Sequence, residues 1–465
     1  MRGLALTVGL CAVLVAAAGC AGGERDAEAG ARPTAVSPDA LARAVTPARL
    51  RAHLVALATI ARRNGGTRVT GSPGYQQSVD YVVRQLRAVG YRPRRNSFAF
   101  TYFRETRPPR FERVGAGAKQ YRRGGDFVTL LYSGAGNVTA QVVPVQMDSA
   151  SSGCESGDFA GFPRGAVALL RRGTCFMFQK ARNAASAGAS AVLIANHGPP
   201  IAATLVRPGI GMPVLGISSA LGAELARSAQ AGRVDVRIVV SAVTRPARTA
   251  NVIADLPGRS RGVVLLGAHL DSVHTGPGIN DNGSGSALVL EIACQARRLG
   301  VRPALGLRFA WWGGEELGLV GSGSYASSLG SGTRNLRAVL NFDMVGSPNF
   351  GRFIYDGDRE PPGSVQIEDA FRAYFASRHQ PVEQLRLEGN SDHAPFEQAG
   401  VPVGGLFTGA DESKSAADAK RFGGTAGRSY DACYHRSCDT LANVNLRVLG
   451  QMADAAAVVA LRLAR

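Results

Sequence analysis

The stretch GVVLLGAHLDS, residues 262–272, runs through small and apolar residues from Gly262 to Ala268 and then turns polar at His269 and Asp271. An unbroken apolar run of this length reads as a strand buried on both faces, the pattern of a largely parallel sheet covered by helices. Its polar end then lies at the carboxyl edge, where open α/β sheets present their ligands. Asp271, two residues beyond His269, shares its face and is placed to hold the imidazole in one tautomer. A lone histidine at a strand end is more often an ordinary core residue, so the reading depends on what surrounds it.

The surroundings repeat the plan. GINDNGSGSALVL, residues 278–290, passes from a polar glycine-rich loop into a helix, with Asp281 at the entrance. Alone, that aspartate is a helix cap or an Asx turn. RFAWWGGEELGL, residues 308–319, places Glu315 and Glu316 after another buried strand, and VLNFDMVGS, residues 339–347, ends a third strand on Asp343. DACYHRSCDT, residues 431–440, carries Tyr434 and His435 between Cys433 and Cys438, where a disulfide across so short a loop would hold both rigidly. Together His269, Asp281, Glu316, Asp343 and His435 form a set of imidazole and carboxylate donors that suits Zn²⁺. One carboxylate can bridge two cations, and one glutamate of the adjacent pair can stay off the metal as a base. The set points to hydrolysis at a paired metal centre.

Further out, LRAVLNFDM, RFIYDG and VPVGGLF are strand-length apolar runs, while SALVLEIACQARRLG, SVQIEDAFRAYFASR and the closing LANVNLRVLGQMADAAAVVALRLA have helical period. The fold class is therefore α/β, a central mixed and largely parallel sheet sandwiched by helices. Between Asp126 and Val243 the character changes to short β-rich runs such as VTAQVVPVQ, GAVALLRRG and SAVLIANHG, separated by turn residues. This reads as a β-rich module, residues 126–248, inserted into a domain formed by residues 47–125 and 249–465.

At 465 residues and 48.5 kDa the chain is long enough for two such modules. The net charge of +18 invites a nucleic-acid reading, but lysine occurs only at 119, 180, 414 and 420, and the arginines are dispersed rather than gathered in a stripe. A nucleic-acid partner is excluded on that ground. The N-terminus has Arg2, an apolar run from Leu4 to Ala18 and the small-residue exit AAAGC, which reads as an export signal over residues 1–20. The exit resembles a bacterial lipobox with Cys20 as the lipidated residue, ordinary cleavage and release being the alternative. Membrane contact is expected only through that anchor. Residues 21–46, rich in Ala, Arg, Pro and acidic residues, read as a flexible tether. In an oxidising compartment Cys154 pairs naturally with Cys175 and Cys433 with Cys438, leaving Cys294 as a buried thiol.

AHLDS, GINDNGSGSA, FAWWGGEELGLVGS, LNFDMVGSPN, SDHAPFEQAGVPVGGLFTGA and CYHRSCDT closely resemble the secreted bacterial leucine aminopeptidases of metallopeptidase clan MH, which carry a co-catalytic zinc pair. CESGDFAGFPRGAVALLRRGTCFMFQKARNAASAGASAVLIAN resembles the protease-associated (PA) domain of some relatives. The resemblance implies two Zn²⁺ per chain: one held by His269 and Asp343, the other by Glu316 and His435, with Asp281 bridging. It implies Glu315 as general base and Tyr434 as the phenol that stabilises the tetrahedral oxyanion. It also implies a peptide substrate with a free N-terminus, held near Asp343 and Gly389–Asn390, and an apolar pocket walled by Phe407. Asn390 departs from the arginine of close relatives. Relatives also often bind Ca²⁺, for which no ligands are assignable here. The implied protein is an exported, monomeric zinc aminopeptidase preferring large apolar N-terminal residues. A carboxypeptidase or glutaminyl cyclase on the same fold, and a non-catalytic binding protein carrying a PA domain, are the competing readings.

Overall fold

A computed structural model describes residues 36–386 and 389–465. The export signal, Cys20 and residues 21–35 of the expected tether lie outside the described residues. The core of the fold is four parallel strands in the order Val403–Phe407, Leu336–Phe342, Val263–His269 and Gly306–Trp312. Along Val263–His269 the residues Val264, Leu266 and Ala268 face one hydrophobic cluster and Leu265 faces another, so both sides are buried and the apolar run needs no alternation. Helices Pro47–Arg63, Pro73–Ala88, Gly283–Arg298, Ser364–Ser377 and Leu446–Leu463 contribute to the first cluster, and Val320–Leu329 and Ala394–Gln398 to the second. Antiparallel strands flank the parallel set: Phe353–Tyr355 beside Val403–Phe407, and Asp235–Leu256 beside Gly306–Trp312. The architecture is the mixed, largely parallel α/β sandwich expected.

Helix Gly283–Arg298 is buried from Gly283 to Ala296 and packs on the central strand Val263–His269. Its first turn presses so closely on strand Leu336–Phe342 that a Cβ on Gly285 would lie 2.0 Å from the Phe342 carbonyl oxygen. Only glycine fits there. That contact fixes the Asp281 loop against the strand that ends at Asp343.

The β-rich region has its own parallel strands, Gly136–Pro144, Val167–Arg171, Ala191–Ala195 and Val214–Ile217, with Phe127–Thr129 antiparallel at the edge. It is joined to the rest by main-chain pairing. Strand Arg94–Val114 runs antiparallel to Asp235–Leu256, whose last residues pair with Gly306–Trp312 and whose first residues pair with Gly136–Pro144. Strand Asp235–Leu256 passes position 248 without interruption. One ribbon therefore ties both halves of the molecule into a continuous sheet.

The flexible tether expected over residues 21–46 is corrected at its end: Pro38–Ala44 is a helix. Ser37 accepts the Ala40 N–H at 3.1 Å, Pro38 sits in the first turn, and Leu41, Ala42 and Val45 are buried in the main cluster with helix Leu446–Leu463. Seven residues are too few to show a helical period, so packing rather than pattern forms this helix. Cys154 bonds to Cys175 and Cys433 to Cys438, while Cys294 is a free thiol that burial pushes up to about 12. Among the described residues no helix is long and apolar enough to cross a membrane.

Candidate metal centre

Three strand ends and two loops converge at the carboxyl edge of the parallel strands. His269 Nε2 lies 3.2 Å from Asp281 Oδ1 and 3.3 Å from Asp343 Oδ1. His435 Nε2 lies 3.1 Å from Asp281 Oδ2 and 3.1 Å from Glu316 Oε2. The two oxygens of Asp281 thus face different imidazoles, and two triads share this one carboxylate. Glu315 Oε2 stands 4.0 Å from His269 Nε2, beside both triads.

The mixed imidazole and carboxylate donor set fits a pair of zinc-like cations. Ligands about 2.0–2.1 Å from a tetrahedral zinc stand about 3.3 Å apart, close to the four N···O separations observed. Glu316 Oε1 is buried without a hydrogen-bond partner, and Asp281 Oδ2 and Asp343 Oδ1, though 3.1 and 3.3 Å from imidazole nitrogens, are buried without a well-aligned donor, as expected of atoms shaped for an ion. Electrostatics agree. Burial alone would push both imidazoles down, yet Asp343 and Glu315 around His269, and Glu316 and Asp281 around His435, raise them well above the ordinary value. Burial raises Glu315 and Glu316, with neighbouring carboxylates adding to it. Asp281, despite its burial, is held well below the carboxylate range by the two imidazoles. The cluster favours positive charge at its centre, which a proton or a metal supplies.

The supports of the two histidines differ. His269 Nδ1 is 3.6 Å from Asp271 Oδ1, beyond hydrogen-bond range, so the contact is electrostatic. Asp271 Oδ1 also meets the Glu315 N–H at 3.4 Å. His435 Nδ1 instead lies 2.7 Å from the carbonyl oxygen of Ala202, in the β-rich module. His435 and Met344 have φ of +57° and +48°, unusual for side-chain-bearing residues. Tyr434 stacks on His435 with ring centroids 3.9 Å apart, and burial keeps its phenol protonated. Gly276 lets the 274–278 loop meet this segment, since a Cβ there would come within 2.1 Å of the Arg436 carbonyl oxygen.

Several buried polar residues that sequence reasoning did not single out complete the site. Arg68 is fully buried beneath it, donating from Nε to the Pro277 carbonyl at 3.0 Å and from its other nitrogens to the carbonyls of Leu270 and Gly278. Burial lowers its guanidinium to about 10, against the pull of Asp271, Asp439, Asp281 and Glu316. Asp439 accepts the N–H groups of Asn280 and Asp281 at 2.8 and 3.0 Å and so aims the shared carboxylate. Ser391 donates to Asp343 Oδ2 at 2.7 Å, and the neighbouring Asp392 has both oxygens buried without a donor, pushed up to about 7 by burial. The position of Asp439 in CYHRSCDT and of Ser391 and Asp392 in SDHAPF was the available signal. Nothing in the motif-free stretch around Arg68 marks it.

Of the remaining expected residues, Asn390 is exposed next to Ser391, and Gly389 is partly buried beside it. Phe407 is buried in an aromatic cluster with Met344, Phe353, Tyr355, Phe422 and Tyr430, on which Tyr434 packs. His274 lines a separate cavity of about 770 Å³ that reaches Arg62, Arg123 and Leu441 and contains none of the five candidate ligands. His393 is buried against the Tyr355 ring, and burial lowers it to about 4. His53 is satisfied by Tyr81 and Glu291 at 2.7 and 2.9 Å, and His197 and His379 are exposed.

Residues 251–460 match peptidase family M28 and residues 138–225 match the PA domain. An aminopeptidase of Pseudomonas aeruginosa is 42% identical over 447 residues, covering 91% of this chain and 82% of that protein. The "Probable lipoprotein aminopeptidase LpqL" of Mycobacterium tuberculosis is 39% identical over 433 residues, covering 88% and 83%. The solved structure of an aminopeptidase from Aneurinibacillus sp. strain AM-1 superposes with a TM-score of 0.73 at 26% identity, covering 92% of this chain and 96% of that one. The chain belongs to peptidase family M28 and carries a PA domain within the catalytic fold.

Proposed function

We propose that this peptidase is an exported aminopeptidase in which His269, Asp281, Glu316, Asp343 and His435 would hold two zinc ions, Asp281 being the carboxylate common to both triads. The observation that carries the reading is the placement of the two Asp281 oxygens against two separate histidine–carboxylate pairs. When bound, a zinc pair supplies Lewis-acid polarisation of the scissile carbonyl and lowers the pKa of a water molecule. The protein's own groups do the rest. Glu315, half-buried beside both triads and 4.0 Å from His269, takes a proton from the attacking water and passes it to the leaving amine. Asp271 steadies it through the Glu315 N–H and faces His269. Tyr434, a phenol kept protonated, donates to the tetrahedral oxyanion. Asp343, oriented by Ser391, is placed to receive the free α-amine of the peptide near Gly389 and Asn390.

Phe407 and its aromatic neighbours support a preference for large apolar first residues. Residues 126–248 act as the inserted module. The names of the relatives support the aminopeptidase reading, and the lipoprotein name of one, together with two disulfides, supports export and attachment at Cys20. The test is zinc content and hydrolysis of leucine p-nitroanilide before and after dialysis against a chelator. Two zinc ions per chain and loss of activity on their removal are expected, with recovery when Zn²⁺ is returned. Activity that survives complete zinc removal would sink the mechanism.

A further inference from the structure

We propose that the inserted module is a working part of the metal centre: the main-chain carbonyl of Ala202 sets the tautomer and orientation of His435, and its segment sets the zinc affinity of the Asp281–Glu316–His435 triad. The proposal rests on the reading of the five residues as holders of two zinc ions. A carbonyl oxygen can only accept, so the 2.7 Å contact requires a proton on His435 Nδ1. The lone pair then sits on Nε2, the atom that faces Asp281 and Glu316 at 3.1 Å each. An imidazole ligand held this way is oriented and made more basic by its outer partner. Ala202 is 2% exposed, so water offers little competition for the bond.

The segment that carries this carbonyl is itself firmly tied. The Leu131 N–H donates to the Ala203 carbonyl at 2.9 Å, the Leu205 N–H donates to the Leu131 carbonyl at 3.1 Å, and Asn196 Nδ2 donates to the Pro199 carbonyl at 2.7 Å. Leu205 is fully buried in a cluster that also contains Leu317, the residue after Glu316. At Gly318 the main chain comes so close that a Cβ would stand 3.3 Å from Val206 Cγ1. One short stretch of the insert thus supports both the loop that carries Glu316 and the ring of His435. Among the described residues the His269–Asp281–Asp343 triad receives no such support: the neighbour of its outer nitrogen, Asp271, comes from its own strand end.

The experiment is a titration of the full-length, metal-free protein with Zn²⁺ against a competing chelator, resolving the two binding steps. Two variants loosen the segment by different routes: Leu205→Ala removes its anchor, and Ala202→Gly with Ala203→Gly frees its backbone. Either variant is expected to weaken one zinc step about 10–100-fold and leave the other within about threefold, and Leu205→Met to restore it. If Leu205→Ala disturbs folding, seen by near-ultraviolet circular dichroism, the glycine pair carries the test. Two steps that weaken together, or neither moving in a folded variant, overturn the proposal. A wild-type chain that binds no zinc overturns instead the reading of the centre on which the proposal rests.

Discussion

His269 and His435 face the same carboxylate from opposite sides, yet they reach it by different routes. His269 ends a buried parallel strand, is 1% exposed, and has its outer nitrogen turned toward Asp271 from the same strand end. His435 sits at φ +57° in a loop closed by Cys433–Cys438, and its outer nitrogen rests on a carbonyl more than two hundred residues away in the inserted module. Both halves draw a carboxylate from the sheet's carboxyl edge, but one histidine is held by the sheet itself and the other by a stapled loop and a guest domain. The difference teaches that a metal site can be symmetric at its ligands and asymmetric in what holds them.

The largest effect should come from the residue that serves both halves. Glu315→Gln keeps the shape of the site and removes the proposed proton acceptor, so kcat/KM on leucine p-nitroanilide is expected to fall by about 10²–10⁴-fold with zinc content unchanged. A variant that lost its zinc instead would make Glu315 a ligand and erase its separation from Glu316. A smaller and one-sided effect is expected from Asp271→Asn. It removes the charge behind His269 alone, so one zinc step should weaken by about 10–100-fold in a chelator-competition titration. It should be the step that loosening the Ala202 segment leaves in place. Weakening of the same step by both changes would break the comparison between the two histidines.

What was legible in the sequence follows where each residue sits in the fold. His269, Glu315, Glu316 and Asp343 could be read because parallel strands expose their carboxyl ends on one edge, and each apolar run stops at its polar residue. Asp281 could be read because the glycines after it mark a helix start pressed against a strand. Arg68 could not, since its partners Leu270, Pro277 and Gly278 lie 202 to 210 positions away and a single arginine carries no periodicity. Ala202 was invisible for a stronger reason: the chemistry lies in its main chain, which every residue shares. The helix Pro38–Ala44 falls between these cases, for the pair Ser37–Pro38 is a readable helix start, but seven residues leave no period to confirm it.

The smallest expected effect tests whether every contact between the module and the catalytic half matters. Arg172 of the module lies 3.9 Å from Asp411, with side chains 36% and 39% exposed. Two flexible groups in water gain little from such a pair, because solvent screens the attraction and ordering the side chains costs entropy. Arg172 also donates to Asn196 Oδ1 at 2.9 Å, so Arg172→Ala removes one further surface bond near the Ala202 segment. The loss in a urea-unfolding midpoint should correspond to about 0–1 kcal/mol, and both zinc steps should stay where they are in wild type. The contrast with Ala202 is then one of burial rather than of position: both contacts cross the same junction, but only the buried one touches a candidate ligand. Should Arg172→Ala weaken the His435 step as strongly as Leu205→Ala, the support would belong to the junction as a whole and not to one carbonyl.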